Sequence, residues 1–159
     1  MKNKIKTSSA RKGGLEKILT GITGFDEILD GGVPKGRVML VTGTTGTGKT
    51  VFLNEFLYRG ITQLNENGVY VTFEENPKDI ITNVRGFGWK YISLIKKKKL
   101  AFVDASIAEE MVLETGPQYD LSPLVKRIEY AIGKVKAKRV VVDSIDAIFS
   151  RFSNKDVVR

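Results

Sequence analysis

Eight consecutive residues, Gly43-Thr44-Thr45-Gly46-Thr47-Gly48-Lys49-Thr50, fit the spacing G-x-x-x-x-G-K-[ST]. Each residue type answers to one part of a polyphosphate. The glycines let the backbone turn tightly, so that several N–H groups of the loop face one point. Those donors stand at the start of a helix, whose positive dipole end favours an anion. Lys49 reaches the β- and γ-phosphates as a point charge. The Thr50 hydroxyl suits Mg²⁺, an ion that keeps most of its waters and takes few protein ligands. Val51 follows within the same binding segment. The chemistry this stretch predicts is the holding of a nucleotide's phosphates together with Mg²⁺.

Three acids are placed to complete it. Asp143 ends the apolar run Arg139-Val140-Val141-Val142 and is the candidate Walker B carboxylate, holding the hydration shell of the metal while Thr50 binds it directly. The alternative is an Asp that caps a turn, with Ser144 and Asp146 as weaker neighbours. Glu74 and Glu75 follow Val69-Tyr70-Val71-Thr72-Phe73, and hydrolysis needs a group that orients or deprotonates a water in line with the γ-phosphate. Adjacent strand residues point to opposite faces, so one of the two should dominate. Glu74 is favoured and Glu75 supports it; the alternative is a pair of solvated acids before a turn.

The elements that must position these groups alternate. Arg37–Thr42 reads as a short buried strand leading into the loop. After it Val51, Phe52, Leu53, Phe56 and Leu57 recur at helical spacing, and Gly60 is expected to close that helix. Residues 20–29 read as a turn and a short helix, capped by Thr23 with Asp26 three residues on. Residues 68–73 are a second strand. Asn76-Pro77 then caps a helix carrying Ile80, Ile81, Val84 and Phe87 on one side, ended by Gly86 and Gly88. Residues 100–103 are a third strand, with Asp104 at its end. A loop over 105–120 precedes Ser122-Pro123, which starts a helix in the manner of Asn76-Pro77, with Leu124, Val125, Ile128, Ala131, Ile132 and Val135 on its apolar face. Residues 139–144 make a fourth, buried strand. Strand and helix in alternation predict an α/β fold, a parallel sheet with helices on both faces. Trp89, Phe87 and Tyr91 are expected in the core rather than as a base-stacking surface.

Composition narrows the chemistry. The 159 residues hold no cysteine and no histidine, so there is no thiolate site, no disulfide and no imidazole base. Any base is a carboxylate, and any metal a hard, oxygen-bound ion. Hydrophobic content of 42% suits a soluble globular chain, and no apolar run is long enough to cross a membrane. The expected location is cytoplasmic. The net charge of +8 gathers in residues 1–17, in Lys96–Lys99, and in Lys134, Lys136, Lys138 and Arg139. Such blocks can bind nucleic acid, but with 18 lysines to 8 arginines they are read as solvated faces and tails. Residues 1–14 read as a basic flexible arm, and 15–159 as the folded domain.

Beyond the loop, Thr23-Gly24-Phe25-Asp26, Gly31-Gly32-Val33-Pro34-Lys35-Gly36-Arg37, Phe56-Leu57-Tyr58, Thr72-Phe73-Glu74-Glu75-Asn76-Pro77 and Phe87-Gly88-Trp89 form a specific set. So do Val103-Asp104-Ala105-Ser106, Asp120-Leu121-Ser122, Ile128-Glu129-Tyr130-Ala131-Ile132 and Val142-Asp143-Ser144. With these stretches the chain, from about residue 15 onward, resembles the KaiC family of circadian-clock ATPases in their first ATPase domain. The resemblance implies a RecA-like P-loop core and slow, Mg²⁺-dependent ATP hydrolysis in a homo-hexamer, with nucleotide bound between subunits. It implies that Glu74 is the catalytic acid, that Lys49 and Thr50 are the phosphate and Mg²⁺ residues, and that Gly86 stands where the family has a serine near the nucleotide. It also implies KaiB- and KaiA-like partners of the parent protein, and an autokinase activity carried by a second homologous domain not found in these residues. A RecA-like core has further strands after its Walker B strand, so the domain is expected to be C-terminally incomplete, with an apolar strand uncovered at a sheet edge. Two other functions fit the residues less closely: a regulatory module that binds ATP without turnover, and a RecA-class DNA-dependent ATPase, which the basic arm alone favours.

Overall fold

A computed structural model describes residues 15–106 and 121–145. It divides into two compact units at Lys49/Thr50. In the first, β1 (Lys17–Ile18) and β2 (Val33–Pro34) pair antiparallel around α1 (Phe25–Ile28). Asp26 organises the turn before α1: one carboxylate oxygen accepts from the Thr20 N–H and hydroxyl, each at 2.7 Å, and the other from the Gly21 N–H at 2.9 Å. The expected Thr23 cap is therefore not made. Gly24 holds the N-cap position without a side-chain bond, and Asp26 serves the preceding loop instead.

Arg37–Thr42 is not a strand. Val38 is 98% exposed and Leu40 70%. A β-strand requires a neighbour to take its N–H and C=O groups, and among the described residues no chain segment forms a ladder with 37–42. Its β-branched and apolar residues suit a strand, but propensity for the extended state expresses packing on neighbours more than an intrinsic backbone preference.

The second unit is built on a three-stranded parallel sheet in the order β4-β3-β5. These are β3 (Gly68–Thr72), β4 (Leu100–Asp104) and β5 (Arg139–Asp143). All five residues of the central β3 are buried. Tyr70 and Val141 face one side, where they pack with α2 (Lys49–Gln63), α3 (Pro77–Val84) and α4 (Tyr91–Lys96) through Leu57, Ile61, Ile80, Val84, Tyr91 and Leu94, and with Trp89 between α3 and α4. Val69, Val71 and Val103 face the other, beneath Leu124, Ala131 and Val135 of α5 (Ser122–Val135). Helices thus cover both faces of a parallel sheet, as the alternation predicts.

Several local expectations are corrected. Gly60 does not close α2, which runs on to Gln63. Asn76 does cap α3, accepting from the Lys78 N–H at 2.9 Å with Pro77 behind it. Past Val84 the chain tightens into a 3₁₀ turn over Arg85–Phe87, which carries Phe87 out to 56% exposure instead of into the core. Gly86 lies inside that turn, and the left-handed residue that ends it is Gly88. Trp89 and Tyr91 are buried as expected. α5 begins at Ser122 itself, with Leu121 at the N-cap and no side-chain cap, and its Val125 is 49% exposed. Among the described residues β5 is covered on one face only. Arg139 and Val141 are buried, while Val140 and Val142 are 41% and 37% exposed, because α5 packs on β3 and β4. Among the described residues β5 is an edge strand of the sheet. No described helix is long and apolar enough to cross a membrane.

Candidate functional site

The loop turns where its glycines sit. Gly46 and Gly48 have φ of 82° and 87°, the left-handed region. A Cβ at either would meet open space, so the demand for glycine there is conformational, not steric. Lys49 opens α2 and folds its amine back on the loop, donating to the carbonyls of Gly43 at 2.7 Å and Thr44 at 3.0 Å. The Thr47 hydroxyl donates to the Thr44 carbonyl at 2.8 Å. These neutral carbonyls occupy an ammonium group that makes stronger, charge-assisted bonds to a phosphate.

In the second unit, the ends of the three strands bring Asp104, Thr72 and Asp143 into one cross-strand row. Asp143 Oδ2 accepts from the Thr50 hydroxyl at 2.9 Å and from the Tyr70 hydroxyl at 2.7 Å. Among the described residues no bond reaches Oδ1. The peptide bond that follows Asp143 is cis. Thr50 spends its proton on Asp143 and keeps its lone pairs, which is the state a hydroxyl needs to ligate a cation. With Asp143 beside it, the pair fits Mg²⁺, which takes one or two protein oxygens and keeps its waters. No group of three or more acids or other metal-binding side chains is gathered among the described residues.

Ser144 donates to Glu74 Oε1 at 2.8 Å, which ties Glu74 to the residue next to Asp143. Glu75 differs. Its carbonyl accepts from the Thr72 hydroxyl at 2.7 Å, so its backbone is pinned to the turn. Both acids are exposed. Asp104 is engaged elsewhere, accepting from the Ser106 N–H and hydroxyl, while its carbonyl accepts from Arg127 at 2.6 Å. Asp146 lies outside the described residues.

Sequence reasoning did not find Tyr70, Asn54 or the polar part of Tyr91. Tyr70 sits two residues before Thr72, which pairs with Asp143, so its phenol meets the carboxylate on a diagonal across β3 and β5. The one signal was a tyrosine with strand alternation that put its hydroxyl in an apolar core, where it requires a partner.

Burial pushes the Tyr70 phenol up, with the Asp143 carboxylate beside it adding to the effect; burial, then Tyr58, does the same for Tyr91. A raised phenol keeps its proton in the folded state after the unfolded chain has lost it. The stabilisation is whole below about pH 10 and declines above it, by about 1.4 kcal/mol per pH unit for each tyrosine. Urea midpoints measured from pH 9 to 11 should therefore fall less steeply in Tyr91→Phe than in the parent.

The family model described as "ATPase: KaiC" matches residues 18–159. The circadian clock oscillator protein KaiC of Thermostichus vulcanus is 52% identical over 145 residues, covering 91% of this chain and 28% of that protein. KaiC of Prochlorococcus marinus subsp. pastoris is 48% identical over 159 residues, covering 100% of this chain and 31% of the relative. KaiC of Synechococcus elongatus is 49% identical over 145 residues, 91% and 28% of the two lengths. The chain thus spans about three tenths of the curated relatives it matches.

Proposed function

The chain belongs to the KaiC ATPase family, and from that premise we propose that it binds ATP with Mg²⁺ and hydrolyses it as the ATPase domain of a circadian clock protein. The observation that carries this reading is the 2.9 Å bond from Thr50 to Asp143, which joins the last residue of the phosphate motif to the acid 93 positions away. Gly43, Thr44, Thr45, Gly46, Thr47 and Gly48 supply backbone donors to the phosphates. Lys49 exchanges its two loop carbonyls for phosphate oxygens, and Val51 and Gly86 belong to the nucleotide's surroundings. Thr50 and Asp143 hold Mg²⁺, which when bound neutralises phosphate charge. Glu74 orients the attacking water and takes its proton, with Glu75 in support.

The relatives' printed name, circadian clock oscillator protein, supports a wider reading. Residues 15–159 act as one cytoplasmic ATPase domain within a homo-hexamer that answers to KaiB- and KaiA-like proteins. Autokinase activity belongs to a second domain of the parent. Residues 1–14 are a basic arm.

The test is ATP binding with Mg²⁺ by the full chain, beside Lys49→Ala. The variant should weaken binding at least tenfold, since it removes a charge-assisted contact while Lys49, half-buried, lies outside the hydrophobic core. Equal binding by both proteins would show that the loop is not the phosphate site.

A further inference from the structure

We infer that Tyr70, Asn54 and Tyr91 form a buried hydrogen-bonded relay that sets the orientation of Asp143, making Tyr70 a positioning residue for the metal side of the site. The inference rests on the nucleotide reading above and adds to it three residues that the phosphate motif does not contain.

The relay is continuous. The Tyr91 hydroxyl lies 2.8 Å from Asn54 Oδ1 and 3.0 Å from the Asn54 carbonyl. Asn54 Nδ2 donates to the Thr50 carbonyl at 2.8 Å and reaches the Tyr70 hydroxyl at 3.4 Å. Tyr70 donates to Asp143 Oδ2 at 2.7 Å. The three residues are 0–1% exposed.

Its direction is fixed by its partners. The Thr50 carbonyl can only accept, so the Asn54 amide must present nitrogen to it and oxygen to Tyr91. Tyr91 therefore donates to Asn54. Tyr70, approached by the Asn54 N–H and facing a carboxylate, must spend its proton on Asp143. The bonds from Tyr91 to Asn54 Oδ1, from Asn54 to Tyr70 and from Tyr70 to Asp143 all run toward the same acid, and chained bonds in an apolar core reinforce one another. Asn54 also holds Thr50 through the backbone, so both members of the Thr50–Asp143 pair are fixed from below.

Packing alone does not require these groups. Tyr70 and Tyr91 sit among Leu57, Ile80, Val84, Leu100 and Val141, where phenylalanine rings would fill nearly the same space. Three buried polar groups carry a desolvation penalty unless each is satisfied, and here the satisfied chain ends on the carboxylate. With Oδ2 held by two donors the carboxylate cannot rotate freely, and Oδ1 is left to the hydration shell of a cation. Outer partners of this kind set the geometry of a metal site, and losing one typically lowers metal affinity 10- to 100-fold.

The test is Tyr70→Phe in the full chain, which removes one hydroxyl and keeps the ring. Mn²⁺ affinity in the presence of ATP, read by electron paramagnetic resonance, should weaken about 10-fold or more. ATP binding in chelator should stay at the parental value, a separation that a merely structural role would not produce. Tyr91→Phe, at the far end, should show a smaller loss of the same kind, and it stands in should Tyr70→Phe not fold. A parent that binds ATP equally with and without metal would overturn the site reading, and this inference with it. A parent that needs metal, beside tyrosine variants whose Mn²⁺ affinity is unchanged, would overturn the relay alone.

Discussion

Arg139→Ala should destabilise the second unit by roughly 2–5 kcal/mol, through the cavity left by a fully buried side chain and the loss of its charge-assisted bonds. Its charge places Arg139 in a basic cluster with Lys134, Lys136 and Lys138, yet its side chain is fully buried. The guanidinium donates to Glu66 at 2.7 Å and to the Phe56 carbonyl at 2.9 Å, and lies 4.4 Å from the Phe56 ring centre. It pins the start of β5 to α2, and β5 ends in Asp143. Gly60 makes the room: a Cβ there would come within 2.7 Å of the guanidinium carbon. A sign change follows. Gly60→Ala should destabilise the parent by forcing Arg139 out of place. In the Arg139→Ala background the same change should be neutral or stabilising, because alanine is favoured over glycine inside a helix by about 1 kcal/mol. Urea unfolding of the four proteins in this cycle measures both effects. Simple additivity of the two substitutions would show that Gly60 and Arg139 do not share the space.

The same pair shows where sequence is readable and where it is not. Gly60 looks like a helix terminator because glycine ends helices more often than it sits within them. Its reason for being there is a residue 79 positions later (139 minus 60), which no local pattern reveals. The phosphate loop is legible because its function is local: eight contiguous residues specify the turn, the amine and the hydroxyl. β3 and β5 are legible from β-branched runs, β4 from a short apolar run, and α3 from Asn76-Pro77, since caps and turns are written in adjacent residues. Arg37–Thr42 has the same composition as those strands and is not one, because a strand also needs a neighbour. α4 escapes notice because it has six residues and no side-chain cap. The partners of Asp143 escape because they depend on register: only the pairing of Thr72 with Asp143 brings the Tyr70 hydroxyl to the carboxylate.

Glu74→Gln should abolish turnover, by 10²- to 10⁴-fold, while leaving ATP affinity within about twofold of the parent. The separation follows from what the substitution keeps. Ser144 donates to Glu74 Oε1 at 2.8 Å, and a glutamine oxygen in that place accepts the same bond. The side chain then stays beside Ser144 with its carbonyl oxygen available to a hydrogen bond, but it has lost the charge that receives a proton. With no histidine or cysteine anywhere in the chain, no imidazole or thiolate of its own can substitute. Glu75→Gln should do far less, about threefold at most on a proton-transfer argument, because Glu75 is fixed through its carbonyl by Thr72 and not through its carboxylate. The decisive comparison is single-turnover hydrolysis by the two variants, with binding measured separately so that a loss of affinity is not mistaken for a loss of chemistry. If Glu74→Gln turns ATP over at the parental rate, the water is activated by another group. If both variants lose activity alike, the acids act as a pair, and the contact with Ser144 does not distinguish the one that takes the proton.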